Sequence, residues 1–247
     1  MTIATAGVAM SEERLRAYIK CSQLFYYGGV EKPSPQTEMA QYAVEYYLTA
    51  RLRNPKRERA YLLSRAVLQA TKACELEAKL LHGQAQQLIN QTALWLDEFL
   101  NIFSNDIYYP VTGPLPWRIK INKTPIDLKI SGILRTAKNQ TLHVLSFTPY
   151  MTKHSQINDP IAHLKLSALR DFVKKNPNRP QAILHILWSR ANGRVGFDYI
   201  TTKNINPEYL KLIEQKVQEA ERGSHFPILP CRFACPFKSK CFPGETK

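Results

Sequence analysis

Apolar residues recur with a helical period up to Phe103 of this 247-residue chain and with a strand period after Pro110. Ser11-Glu-Glu-Arg14 reads as a helix start, a serine cap followed by acids in the first turn. That helix carries Leu15, Tyr18, Ile19 and Leu24 and stops at Gly28-Gly29. Gln41 to Leu52 predicts another helix, broken around Pro55. From Glu58 to Phe103 there is no proline and one glycine, Gly83, and Leu62, Ala66, Ala73, Leu76, Leu80, Leu88 and Leu96 recur at helical spacing. One or two long amphipathic helices follow from that pattern. Cys74 falls inside it and reads as a buried thiol.

Beyond Pro110 the alternation predicts strands over Trp117–Asn122, Ile126–Arg135 and Leu142–Thr148, with a turn at Ala137–Gln140. Ile126, Leu128, Ile130 and Leu134 share one face, which turns Arg135 to the other. Pro160 to Lys174 is an amphipathic helix, Ala182–Trp188 and Val195–Ile200 are two more strands, and a last helix starts at Asn206-Pro207 and runs to about Arg222. Helices, then a sheet interleaved with helices, make the fold class α/β or α+β, with the helical region ahead of the sheet.

Composition narrows the function. Lysine and arginine exceed the acids by 34 to 20, a formal charge of +14, which favours polyanionic partners and nucleic acid above all. No apolar run reaches the length of a membrane span, so no membrane partner is expected. Residues 1–10 form a small-residue leader without the charged start of a secretory signal.

Three of the five cysteines, Cys231, Cys235 and Cys241, lie in the last seventeen residues at C-x3-C-x5-C spacing. An odd, clustered set points to a metal site in a reducing compartment, cytoplasm or an organellar stroma or matrix, rather than to disulfides. Three thiolates need a fourth ligand, and two candidates exist: His225, six residues ahead, and the distant Cys21.

The residues Leu15, Tyr18, Cys21, Phe25 and Tyr27 near the start, with Cys231, Cys235, Pro236, Phe237 and Cys241 at the end, resemble the iron–sulphur PD-(D/E)xK nucleases. That group includes the RecB/AddB-type helicase-nuclease domains and the CRISPR-adaptation exonucleases. The resemblance implies a restriction-endonuclease-like α/β core. It would make 11–247 one domain: a helical region over 36–103, a core sheet with its helix over 107–202, and a helix with a cysteine tail over 206–247. It also implies a 4Fe-4S cluster, with zinc as the alternative, on Cys21, Cys231, Cys235 and Cys241, closing the tail onto the first helix. The C-x3-C spacing is one residue longer than the commoner C-x2-C.

The catalytic motifs of that family are replaced. Its G-x-x-D acid falls at Gly132-Ile-Leu-Arg135, and its (D/E)-x-K at Ser146-Phe-Thr148. Its helical histidine falls in Ser64-Arg-Ala-Val-Leu68, and its Q-x-x-x-Y motif at His163-Leu-Lys-Leu-Ser167. Asp127 is the candidate for a displaced acid. Lys129, Arg135 and Lys120 would then line a groove with positive charge, extended by Arg51, Arg53, Lys56, Arg57 and Arg59 and by Lys174, Lys175 and Arg179.

The expectation is a non-cleaving, nucleic-acid-binding or structural subunit of a larger DNA- or RNA-processing complex, with protein partners. Two alternatives stand beside it. One is an active magnesium- or manganese-dependent nuclease with relocated residues, and the other is a protein-interaction scaffold that binds no nucleic acid.

Overall fold

The computed structural model describes residues 9–20, 34–74, 82–104, 107–136, 138, 141–148, 159–175, 181–190 and 194–223. Its elements begin with β1 (Met10–Ser11), α1 (Glu12–Lys20), α2 (Pro35–Arg53), α3 (Arg59–Ala73) and α4 (His82–Ile102). Strands follow: β2 (Tyr108–Thr112), β3 (Leu115–Ile121), β4 (Thr124–Ile130), β5 (Gly132–Thr136) and β6 (Leu142–Phe147). The chain then runs through α5 (Pro160–Lys174), β7 (Ala182–Ser189), β8 (Val195–Thr201), a 3-10 turn (Thr202–Asn204) and α6 (Pro207–Glu221).

Three helices start by the same local chemistry. Ser34, Asp159 and Asn206 each accept a hydrogen bond from an amide of the first turn, and each is followed by a proline whose missing N–H belongs where the helix has no use for one. The expected long helical stretch resolves into α3 and α4.

Packing divides the chain into two units, and the division falls inside β3 and β4. The described part of the first unit is 9–20, 117–128 and 206–223. Here β1 runs parallel to β4, with Met10 beside Ile126, and α1 packs against α6. Tyr18 is wholly buried, and burial together with the nearby Glu219 pushes its phenol up to about 12. Glu221 accepts from the Thr124 hydroxyl at 2.6 Å and the Lys123 amide at 3.2 Å, tying the β3–β4 hairpin to α6.

The remaining described residues form the second unit, built on a five-stranded sheet in the order β2-β5-β6-β7-β8. Strands β6 and β7 run parallel because α5 carries the chain back between them; the other pairs are antiparallel. All six residues of β6 are buried, as a strand covered on both faces requires. One face meets the α2–α3–α4 layer through Leu134, Leu145, Phe147 and Leu187, around Trp95 and Phe99, whose rings stack at 5.6 Å. Cys74 is buried in this core and forms no disulfide.

The stretch predicted as one strand, Ile126–Arg135, is two. It breaks at Ser131, and β4 and β5 belong to different sheets. The apolar alternation runs straight through this break, so periodicity alone could not mark it. Gly132 permits the change of sheet: a Cβ there would collide with the Leu48 side chain of α2. Tyr108–Thr112 adds an edge strand ahead of Trp117–Asn122, the first strand expected.

Candidate functional site

Four cross-strand pairs fix which way the central hairpin points its side chains: Gly132–Leu145, Ile133–Val144, Leu134–His143 and Arg135–Leu142. Leu134, Leu145 and Phe147 enter the helical core, so strand alternation turns Arg135 and Ser146 to the opposite face, where α5 packs. Arg135 is exposed, whereas Ser146 and Thr148 are buried. Directly beside Arg135, on edge strand β2, stands Tyr109, 47% exposed.

Ser146 has a partner that pattern reading does not reveal. Lys165 of α5 is buried, with 1% of its surface exposed, and its Nζ donates to Ser146 Oγ at 2.6 Å. Lys165 is fixed there by its place on the helix: Ile161 and Leu169, one turn to either side, are both buried, so the stripe that covers the sheet carries the amine inward. His163 of the same helix is also buried.

A carboxylate stands next to the break at Ser131. Glu45 of α2 accepts from Ser131 Oγ and from Gln41 Nε2, both at 2.8 Å and both on Oε1. The Ser131 amide donates to the Leu145 carbonyl, the residue before Ser146. Burial raises the Glu45 carboxyl above its ordinary value, against the pull of these hydrogen bonds and of the Lys129 charge. Glu45 is placed here because Leu48, one turn on, is the residue that meets Gly132.

Asp127 has a different surrounding. Both its oxygens are taken by the Arg118 guanidinium, at 2.7 and 2.9 Å, on the exposed surface of the β3–β4 hairpin. The Arg118 hydrogen bonds hold its carboxyl below the usual range. It therefore has the geometry of a surface ion pair rather than of a metal-binding acid.

The basic residues are distributed unevenly. Lys129, Lys120, Arg53, Lys56, Arg57, Lys174 and Lys175 are exposed. Within the 51–59 run, Arg51 donates to the Arg57 carbonyl, Arg57 lies over the Tyr61 ring at 4.8 Å, and Arg59 binds Asp97 and Asn101. Three of those five side chains thus pin the turn as well as presenting charge. Arg179 lies outside the described residues, as do Cys21, His225, Cys231, Cys235 and Cys241. Among the described residues no three histidines, cysteines or acids group tightly enough to hold a metal ion.

A second polar cluster lies within the helical face of the sheet. His143 Nδ1 and His185 Nε2 are 2.9 Å apart, and their stacked rings are edged by Tyr108 and Phe103. His185 Nδ1 is buried without a partner among the described residues. Burial drives His185 down to about 3, helped by His143, and also lowers His143. Both rings are neutral at pH 7.

Neither a protein-family model nor any curated protein matches this sequence. A solved structure does share its fold. The chain superposes on the crystal structure of a Eubacterium rectale protein whose name provisionally makes it an exonuclease, with a TM-score of 0.51 at 10% identity, over 97% of this chain and 89% of that one. The fold is thus the α/β arrangement of that neighbour, here two mixed sheets flanked by helices. No described helix is long and apolar enough to cross a membrane.

Proposed function

We propose that this chain is a nuclease-fold protein that binds nucleic acid without cutting it, as a subunit of a larger DNA- or RNA-processing assembly. The observation that carries the reading is the Lys165–Ser146 hydrogen bond. Phosphodiester hydrolysis by a hard cation needs carboxylates to hold the ion. On β6 the corresponding place is filled by a buried hydroxyl tied to an amine, and Arg135 on β5 adds a further positive charge. A surface with exposed guanidinium and ammonium groups and few acids attracts phosphate backbone. Tyr109 beside Arg135 offers a ring to an unpaired base.

The cofactor belongs to the same proposal. Four cysteine thiolates suit an iron–sulphur cluster, and α1 ends one residue before Cys21 while the neighbouring α6 leads to the tail. Their packing supports Cys21 as a residue within reach of Cys231, Cys235 and Cys241. A cluster held there ties the two chain ends together, and no reaction step is assigned to it.

Anaerobically purified protein incubated with end-labelled single- and double-stranded DNA, in magnesium and in manganese, tests the reading. Binding that weakens steeply with salt and no cleavage is the expected result. Chelator-sensitive cutting would overturn it.

A metal-dependent nuclease is the second reading, and Glu45 is the observation that favours it. A half-buried carboxylate beside Ser131 is the acid such an enzyme would use, and cleavage lost in Glu45→Ala but kept in Asp127→Ala would establish it.

A further inference from the structure

Strand β8 is an edge of the five-stranded sheet, paired only with β7 among the described residues. It carries two aromatic side chains outward, Phe197 at 42% and Tyr199 at 56% exposure, although an aromatic ring on an edge strand gains most by being covered. They stand two residues apart, so both rings leave the same face at a spacing of about 7 Å. Leu187 and His185 are their cross-strand partners, which puts them on the face that also bears the helical core. His185 backs Tyr199, with ring centroids 6.3 Å apart, and His185 in turn meets the edge of Phe103. Tyr199 therefore rises from a row of packed rings and not from a mobile surface.

Charge brackets the pair. Arg190 and Arg194 stand exposed where the β7–β8 hairpin turns, and Lys203 stands exposed in the 3-10 turn after β8. Two acids lie nearby, each already engaged. Asp198 accepts from the Tyr199 amide at 2.8 Å, and Glu98 accepts from the Val195 amide at 3.0 Å while lying 3.6 Å from Arg194. Two copies of so basic an edge would repel each other. A polyanion with flat hydrophobic groups would satisfy both the rings and the cations.

We propose that Phe197 and Tyr199 form a stacking platform for two unpaired bases of a single-stranded nucleic acid whose phosphates run between Arg190 and Arg194 at one end of β8 and Lys203 at the other. The seven residues of β8 span about 23 Å at strand rise, room for three or four extended nucleotides. A duplex, whose bases are already stacked on each other, cannot use the rings. This rests on the nucleic-acid-binding reading and adds to it the strand form and a second contact, on the sheet edge opposite Tyr109.

The test uses the full chain, fluorescein-labelled oligo-dT and a mixed-sequence duplex of equal length at low salt, read by anisotropy. Wild type should favour oligo-dT at least tenfold. The Phe197→Ala/Tyr199→Ala double variant should lose about tenfold or more on oligo-dT and less than twofold on duplex, with unchanged circular dichroism and melting. Arg194→Gln should instead weaken both and flatten the salt dependence. If the double variant binds oligo-dT like wild type, or oligo-dT and duplex bind equally, the platform is wrong while nucleic-acid binding stands. If neither ligand binds, both fall. A wild-type dimer that the double variant dissociates would make β8 a contact between copies and overturn the platform.

Discussion

Lys165 Nζ lies 2.6 Å from Ser146 Oγ, with both residues buried between α5 and β6. An amine sealed in that position is held by its hydrogen bonds and packed by its stem. Lys165→Ala removes both, and urea unfolding should show a loss of about 3 kcal/mol. Lys165→Met keeps the stem and discards the charge, so it should recover more than half of that loss. If the two variants are equally unstable, the charge and not the packing dominates.

Glu45→Gln separates charge from hydrogen bonding on α2. Both donors reach the same oxygen, Oε1, so the amide can keep both. Burial raises the Glu45 carboxyl in the folded state. Its contribution is therefore fully present below the unfolded value and is lost as pH rises through the folded one. Gln does not titrate. The variant should match wild type near pH 4 and gain on it toward pH 8, as read from urea midpoints at the two pH values. The opposite trend would mean that Lys129 outweighs burial.

His185 gives the reverse sign. Its folded value falls from 6.5 to about 3, and that of His143 is lowered too. The unfolded chain thus takes up protons that the fold refuses, and stability is lost as pH drops below about 6.5. Each such proton is worth about 1.4 kcal/mol per pH unit. His185→Leu removes one. The stability advantage of wild type over the variant at pH 7.5 should shrink by about that slope between pH 6 and pH 4.5. An advantage independent of pH would show that the ring is not buried as described.

Periodicity made α5, β6, β7, β8 and α6 legible, because each buries a regular apolar set and both helices open on a proline, whereas α2, expected from Gln41, in fact starts at the Ser34 cap and Pro35. It placed Ser146 on β6 and turned Arg135 away from the core. It did not show the break at Ser131, since Ile130 and Leu134 continue the alternation across it, and the close approach of Leu48 to Gly132 just past the break joins residues far apart in sequence. Glu45 and Lys165 were hidden for a related reason. Lys165 occupies the buried stripe between Ile161 and Leu169, and a charge in an apolar stripe is a signal that could have been read. Glu45 gives no such sign, because only the folded helix brings it to Ser131.

The cysteine proposal makes an internally controlled prediction. Tyr18 is buried with Glu219 close by, so α1 and α6 already meet ahead of Cys21 and of the tail. If the four thiolates share one cluster, the protein is brown as isolated without oxygen, whereas zinc would leave it colourless. Cys21→Ser and Cys241→Ser should each bleach it and lower the melting temperature by about 10 °C or more, since cluster binding is coupled to folding. Cys74→Ser is the control: that thiol sits in the core of the other unit, so the variant should keep its colour. Cys21→Ser that stays brown while a His225 variant bleaches would transfer the fourth ligand to His225.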